Sequence, residues 1–195
     1  MAKKSAKDYF DRLSPATLDL VTAVTEADFD QAFDNWLTRA IHHLETNKQN
    51  YRLLGEEGLS AVLAAALSTP EISVTQEQNS NGHVDLTVTL VNPPFRIKLG
   101  EAKIWDGSKY HVKGLSQLIN RYTTGRECRG FVISYVRTKD ITGLFADLRQ
   151  YINDEKPCDL DGLCKDHNIR WSFLSTHKHS SGMSLDVCHI GCNLF

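Results

Sequence analysis

The sequence lacks any apolar run long enough to cross a membrane, and its first ten residues, MAKKSAKDYF, lack the apolar core of a secretory signal. It has no glycine-rich loop of the nucleotide-binding kind, which argues against an ATP-driven motor. No Gly-x-Ser-x-Gly element and no cysteine-protease pattern is present. Five cysteines, an odd number without a dense framework, give no disulfide scaffold. These absences lead us to expect a cytoplasmic chain with reduced thiols and no membrane partner. Nor is there a general excess of positive charge. The formal net charge is -2, so any nucleic-acid contact has to come from a local patch.

Such a patch is visible in sequence. Between residues 96 and 137, nine basic residues (Arg96, Lys98, Lys103, Lys109, Lys113, Arg121, Arg126, Arg129 and Arg137) stand against Glu101, Asp106 and Glu127. The bias reads either as an ordinary solvated face or as a phosphate-facing surface. The 195 residues, 41% of them hydrophobic, can bury one domain's core.

Residues 1–48 read as a helical arm. A short helix falls at 8–13, a second starts at Ser14-Pro15, and Thr25 caps a longer one whose Phe29, Phe33, Trp36, Leu37, Ala40, Ile41 and Leu44 recur at three and four residues. The arm either docks a protein partner or a second copy, or simply covers the sheet. Residues 49–195 form the main domain. A helix over 50–68 carries Glu56 at the edge of its apolar stripe and Glu57 nearly opposite. Glu56 suits a site or the helix dipole. Strands follow at 71–78 and from residue 82, with turns at Asn79-Ser80-Asn81-Gly82 and Asn92-Pro93-Pro94. A helix over 110–123 buries Leu115, Leu118, Ile119 and Tyr122 and leaves Gln117 beside Lys113 on the wet side. An apolar strand over 128–137, a helix over 140–155, a loop over 156–168 and two strands, 169–175 and 183–194, complete the chain. The strand–helix–strand step between residues 95 and 137 implies a parallel pair in a mixed sheet, hence an α/β fold with a mixed β-sheet flanked by helices.

The chemistry concentrates in GHVDLTVTLVNPPFRIKLGEAKIW, residues 82–105. Asp85 reads as mid-strand, where a carboxylate is costly unless paired, hydrated or metal-bound. Glu101 and Lys103 share a strand face. Two carboxylates can hold magnesium, which takes oxygen ligands and keeps several waters. Lys103 can stabilise charge on a phosphate or help deprotonate an attacking water, and Glu56 can add a ligand or hold a metal-bound water. Alone, Glu-x-Lys is more often a plain ion pair; Asp85 and the helix acid upstream strengthen the site reading.

Asp85, Glu101 and Lys103 in this order resemble the PD-(D/E)XK, or restriction-endonuclease-like, nuclease superfamily. Val84 stands where that motif often has proline. Glu101-Ala102-Lys103-Ile104-Trp105-Asp106-Gly107, followed by Gln117-Leu118, is similar to uncharacterised bacterial restriction-endonuclease-like domains; Ala102 replaces their cysteine and Asn120-Arg121 their Gly-Tyr. The resemblance spans roughly residues 50–155. It implies a restriction-endonuclease-like fold and an Mg2+-dependent endonuclease, with Mn2+ as a substitute, acting on DNA in antiviral defence or DNA processing. It implies catalytic roles for Asp85, Glu101, Lys103 and Glu56, with Asp85 and Glu101 as metal ligands. Gln117 would position Lys103 or contact substrate, along with Lys113 and Arg121; Gln117 reads equally well as an ordinary surface glutamine. A non-catalytic assembly subunit and an RNA-cleaving toxin remain open as other readings.

Two further patterns carry less. Cys158, Cys164 and His167, and Cys188, His189 and Cys192, lack paired zinc spacing and read as packed thiols. His177 and His179 read as lining a wet hairpin end.

Overall fold

A computed structural model of the chain describes residues 6–76, 78–79, 83–91 and 95–195. The expected turns at 79–82 and 92–94 therefore lie largely outside the described residues. Capping chemistry starts the helices where the sequence indicates. After α1 (Ala6–Phe10), Ser14 accepts from the Thr17 amide and opens α2 (Pro15–Thr22). Thr25 and Asp28 form a reciprocal capping box on α3 (Glu26–Thr46). The helix expected over 50–68 is broken: α4 (Lys48–Tyr51) is separate, and α5 (Glu56–Leu67) starts after Gly55.

The strands are β1 (Ile72–Thr75), β2 (Gln78–Asn79), β3 (His83–Val84), β4 (Leu86–Leu90) and β5 (Ile97–Ile104). Then come α6 (Ser108–Gln117), a π-helical turn (Leu118–Tyr122), β6 (Arg129–Val136), α7 (Ile141–Glu155), β7 (Lys165–Asp166), β8 (Ser172–Lys178) and β9 (Ser184–Asn193). Seven strands make one mixed sheet in the order β1-β4-β5-β6-β9-β8-β7, and β2 pairs β3 apart from it. β5 and β6 are parallel, as the step through α6 requires, and so are β6 and β9.

Helices cover both faces. On one side α3 and α5 bury Phe29, Phe33, Leu37, Ile41, Leu59 and Leu63 against Phe131, Ile133 and Tyr135. On the other, α6 and the π-helical turn pack Leu115 and Leu118 on Val132 and Val187, and α7 packs Phe145 and Leu148 near Val136 and Phe173. Segments 1–48 and 49–195 thus share one core across the sheet, the packing of a covering helix. A chain lacking residues 1–48 would expose Phe131 and Ile133 to water, each worth about 1.5–3 kcal/mol. We expect it not to fold cooperatively, as circular dichroism melts would show.

The charge pattern resolves differently from a basic face. The buried Arg96 guanidinium donates to Glu26 (2.9 Å) and to the carbonyls of Ala23 and Val24. Lys98 pairs with Asp30 at 2.7 Å, and Arg129 with Asp34 at 2.7 Å. Arg137 donates to the carbonyls of Tyr51 and Leu54. Only Lys109, Lys113, Arg121 and Arg126 of the nine are exposed, all on or just beyond α6. Arg96, Lys98, Arg129 and Arg137 are drawn inward because α3, the residues just before it and the 51–54 turn present acids and carbonyls that spacing along one segment cannot reveal.

Candidate active site

Asp85 is not mid-strand. It sits at a one-residue break between β3 and β4. Strand alternation would place Val84 and Leu86 on one face, yet Val84 packs under α6 and Leu86 under α3 and α5. The chain changes face at Asp85, as at a bulge, and its carboxylate turns to β5, accepting from the Ala102 amide at 2.9 Å.

β5 supplies Glu101 and Lys103 on the face that meets α6. Glu101 is 1% exposed. Lys103 Nζ lies 2.6 Å from Glu101 Oε1, 3.3 Å from Glu56 Oε1 and 3.7 Å from Asp85 Oδ2. Glu56, at the first turn of α5, also accepts from the Ile104 amide at 2.9 Å. Three carboxylates from three separate segments thus surround one ammonium. A cleft of 570 Å³ opens beside them, lined by Glu56, Glu57, Ser60, Gln76 and Asp85. A groove of 630 Å³ between α3 and α5, walled by Trp36 and Tyr51, contains none of these groups.

The electrostatics follow from burial and crowding. Burial, with Asp85 next, pushes the Glu101 carboxyl up to about 7. Burial also raises Asp85, against the Ala102 amide and Lys103. For Lys103 burial acts downward, but Glu101, Asp85 and Glu56 together hold the ammonium above its usual range. The lysine is therefore a fixed cation near neutral pH.

Among the described residues no three His, Cys, Asp or Glu side chains form a ready-made metal cage. The donor set nevertheless suits magnesium, which accepts one or two carboxylates and completes its shell with water and phosphate. Glu101 Oε2 is buried with no hydrogen-bond partner, a free acceptor at the heart of the cluster. Asp85 and Glu101 are the residues that would hold the ion, with Glu56 beside them.

The other expected residues are placed differently. Gln117 is not on the wet side: it is half-buried where α6 passes into the π-helical turn, and its Oε1 is buried without a partner. Lys113 and Arg121 are exposed, Lys113 beside the Tyr110 ring. His177 and His179 are buried rather than wet: His177, on β8, lies against the Cys158 carbonyl, and His179, at the hairpin end just past β8, lies against the Thr123 carbonyl. Cys188 packs against His167 at 3.4 Å, whereas His189 joins other histidines.

Spacing along the chain missed two neighbours. Gly114 of α6 lies on the site: a Cβ there would come 3.1 Å from Glu101 Cγ and 3.2 Å from Lys103 Cγ. A glycine inside a helical pattern, which costs about 1 kcal/mol against alanine, is the signal that marks such an approach. Tyr122 is held above its usual range by burial and then by Glu101 and Asp85, so its hydroxyl stays protonated beside them. Comparison of the chain with family models, curated proteins and solved structures gives no match.

Proposed function

We propose that this protein is a magnesium-dependent nuclease of the PD-(D/E)XK type, cleaving phosphodiester bonds in DNA. The observation that carries the reading is the meeting of Asp85, Glu101 and Glu56 around Lys103. The order α5, β1, β4, β5, α6, β6, with the acid before β4 and Glu-x-Lys in β5, supports a restriction-endonuclease-like core.

Bound magnesium would supply Lewis-acid polarisation of the phosphate and a lowered pKa for a bound water. The chain's own groups do the rest. Asp85 and Glu101 would hold the ion. Lys103, kept protonated by its carboxylates, donates toward developing negative charge rather than acting as a base. Exposed Lys113 of α6 and Arg121 of the π-helical turn offer contacts to the phosphate backbone. Gln117 holds a buried acceptor in reserve nearby.

The test is digestion of duplex DNA, single-stranded DNA and RNA with magnesium or manganese. Cleavage of duplex DNA dependent on the ion is expected, and RNA-only cleavage or none would overturn the reading.

A second expectation concerns pH. Glu101's folded-state pKa is raised from 4.5 to about 7, so without a cation this residue's own contribution to stability is lost as pH rises through that interval, against the histidine contribution described below. The ion competes with this proton. Magnesium should therefore raise the melting temperature more at pH 8 than at pH 5.5, and Glu101→Gln should flatten the difference. Equal shifts at both pH values would show that Glu101 is not a ligand.

A further inference from the structure

A row of buried polar side chains runs under α6. His177 Nδ1 lies 3.0 Å from the Cys158 carbonyl oxygen. A carbonyl only accepts, so this nitrogen carries the proton. Neutral His177 then accepts at Nε2 from Ser175 Oγ, 2.6 Å away. With its proton committed, Ser175 accepts from His189 Nε2 at 2.6 Å. His189 Nδ1 is left to accept from His111 Nε2 at 2.8 Å, and His111 Nδ1 accepts from Ser134 Oγ at 2.7 Å. One carbonyl thus fixes every proton in the row. All three rings are neutral; one more proton on His189 sets its Nδ1–H against the His111 Nε2–H, and one on His177 or His111 takes the lone pair to which Ser175 or Ser134 donates, leaving that buried hydroxyl proton without its acceptor.

The row joins α6 to β6, β9, β8 and the loop after α7. None of its five side chains is more than 1% exposed. Trp105 and Phe145 flank the His111 ring, and Phe173 stacks on His189 at 4.6 Å. One turn along α6 from His111, on the same face, is Gly114, seated on Glu101 and Lys103.

We propose that this row is a latch for α6: His111 is a positioning residue that seats Gly114 on Glu101 and Lys103, and the latch opens when the row takes up protons in acid. The proposal deepens the nuclease reading and rests on it for the cation-binding consequence alone. Burial pushes His111 down to about 3 and holds His189 well below its usual range, with His111 and His177 acting the same way. Burial also lowers His177; the carbonyls of Cys158 and Pro157 and the carboxylates of Asp186 and Asp159 oppose it. The rings packed on His111 and His189 are uncharged apart from the histidines themselves. The closed latch is therefore stable above pH 6.5, the ordinary histidine value, and weakens as pH falls below it. With three protons taken up, the opening constant rises by up to about a thousandfold per pH unit.

The test uses the full chain. Nitrogen-15 NMR of the histidines should place the proton on Nδ1 of His177 and on Nε2 of His111 and His189 at pH 7.5. Amide exchange over residues 112–118, corrected for intrinsic rates, should lose protection steeply between pH 6 and 5. His111→Gln can still donate to His189 and accept from Ser134, so it should keep the latch and lower the pH slope by about one proton. His111→Ala should weaken Mn2+ binding about tenfold at pH 7.5 by calorimetry, and His111→Gln should restore it. A proton on Nε2 of His177, pH-independent protection, or unchanged Mn2+ binding in His111→Ala would overturn the latch. If the unaltered protein takes up no Mn2+, the metal site is rejected, while the tautomers and the exchange slopes still decide the latch.

Discussion

On the nuclease reading proposed above, plasmid cleavage should fall by at least about a hundredfold when Asp85, Glu101 or Lys103 is replaced by alanine, the scale on which removal of one preorganised charge-stabilising group acts. The three variants should separate on cation binding. Glu101→Ala removes the buried acceptor and weakens both Mn2+ uptake and turnover. Lys103→Ala removes the ammonium that three carboxylates now share. What remains is a cluster of like charges whose remedy is a metal ion. Lys103→Ala should therefore bind Mn2+ more tightly than the parent while cleaving far more slowly, and melt lower unless the ion is present. Calorimetry and a nicking assay on the same preparations read both quantities. Undiminished nicking in all three variants would remove the active-site assignment; Mn2+ affinity that falls in Lys103→Ala would remove the argument that the lysine and the cation compete.

The second large effect is on stability. Asp34 of α3 accepts from Arg129 at 2.7 and 3.1 Å and pairs with His167 at 2.9 Å, all within the core between α3 and the sheet. Asp34→Ala strands the guanidinium of Arg129 in a buried position. Breaking such a pair costs about 3–5 kcal/mol, which for a chain of this size lowers the melting temperature by roughly 6–20 °C. Asp34→Asn, which keeps an acceptor for Arg129, should lose less. Urea melts of the two variants decide it; a loss under about 1 kcal/mol for the alanine would mean that Arg129 finds water or another partner.

Much of this architecture was legible residue by residue. Thr25 with Asp28, Ser14 with Pro15, and the apolar run of β6 each announce their element through local chemistry. Glu101 and Lys103 were legible because alternation along β5 holds. Asp85 was legible as a residue but not as a place, since periodicity cannot show a strand that changes face. Arg96, Lys98 and Arg129 looked available for phosphate because their partners, Glu26, Asp30 and Asp34, lie about 70 or more positions earlier in the chain. The histidine row was invisible for the same reason. His111 and His189 are 78 residues apart and meet only once α6 lies across β6 and β9.

The place of β9 has a consequence for how the protein comes into being. This strand sits between β6 and β8 in the sheet, yet it is made after every other element described here. While synthesis proceeds from the N-terminus, β6 waits with one edge open and α6 has no His189 to grip. On the latch proposed above, a seated α6 is thereby withheld from the nascent polypeptide until β9 has been added.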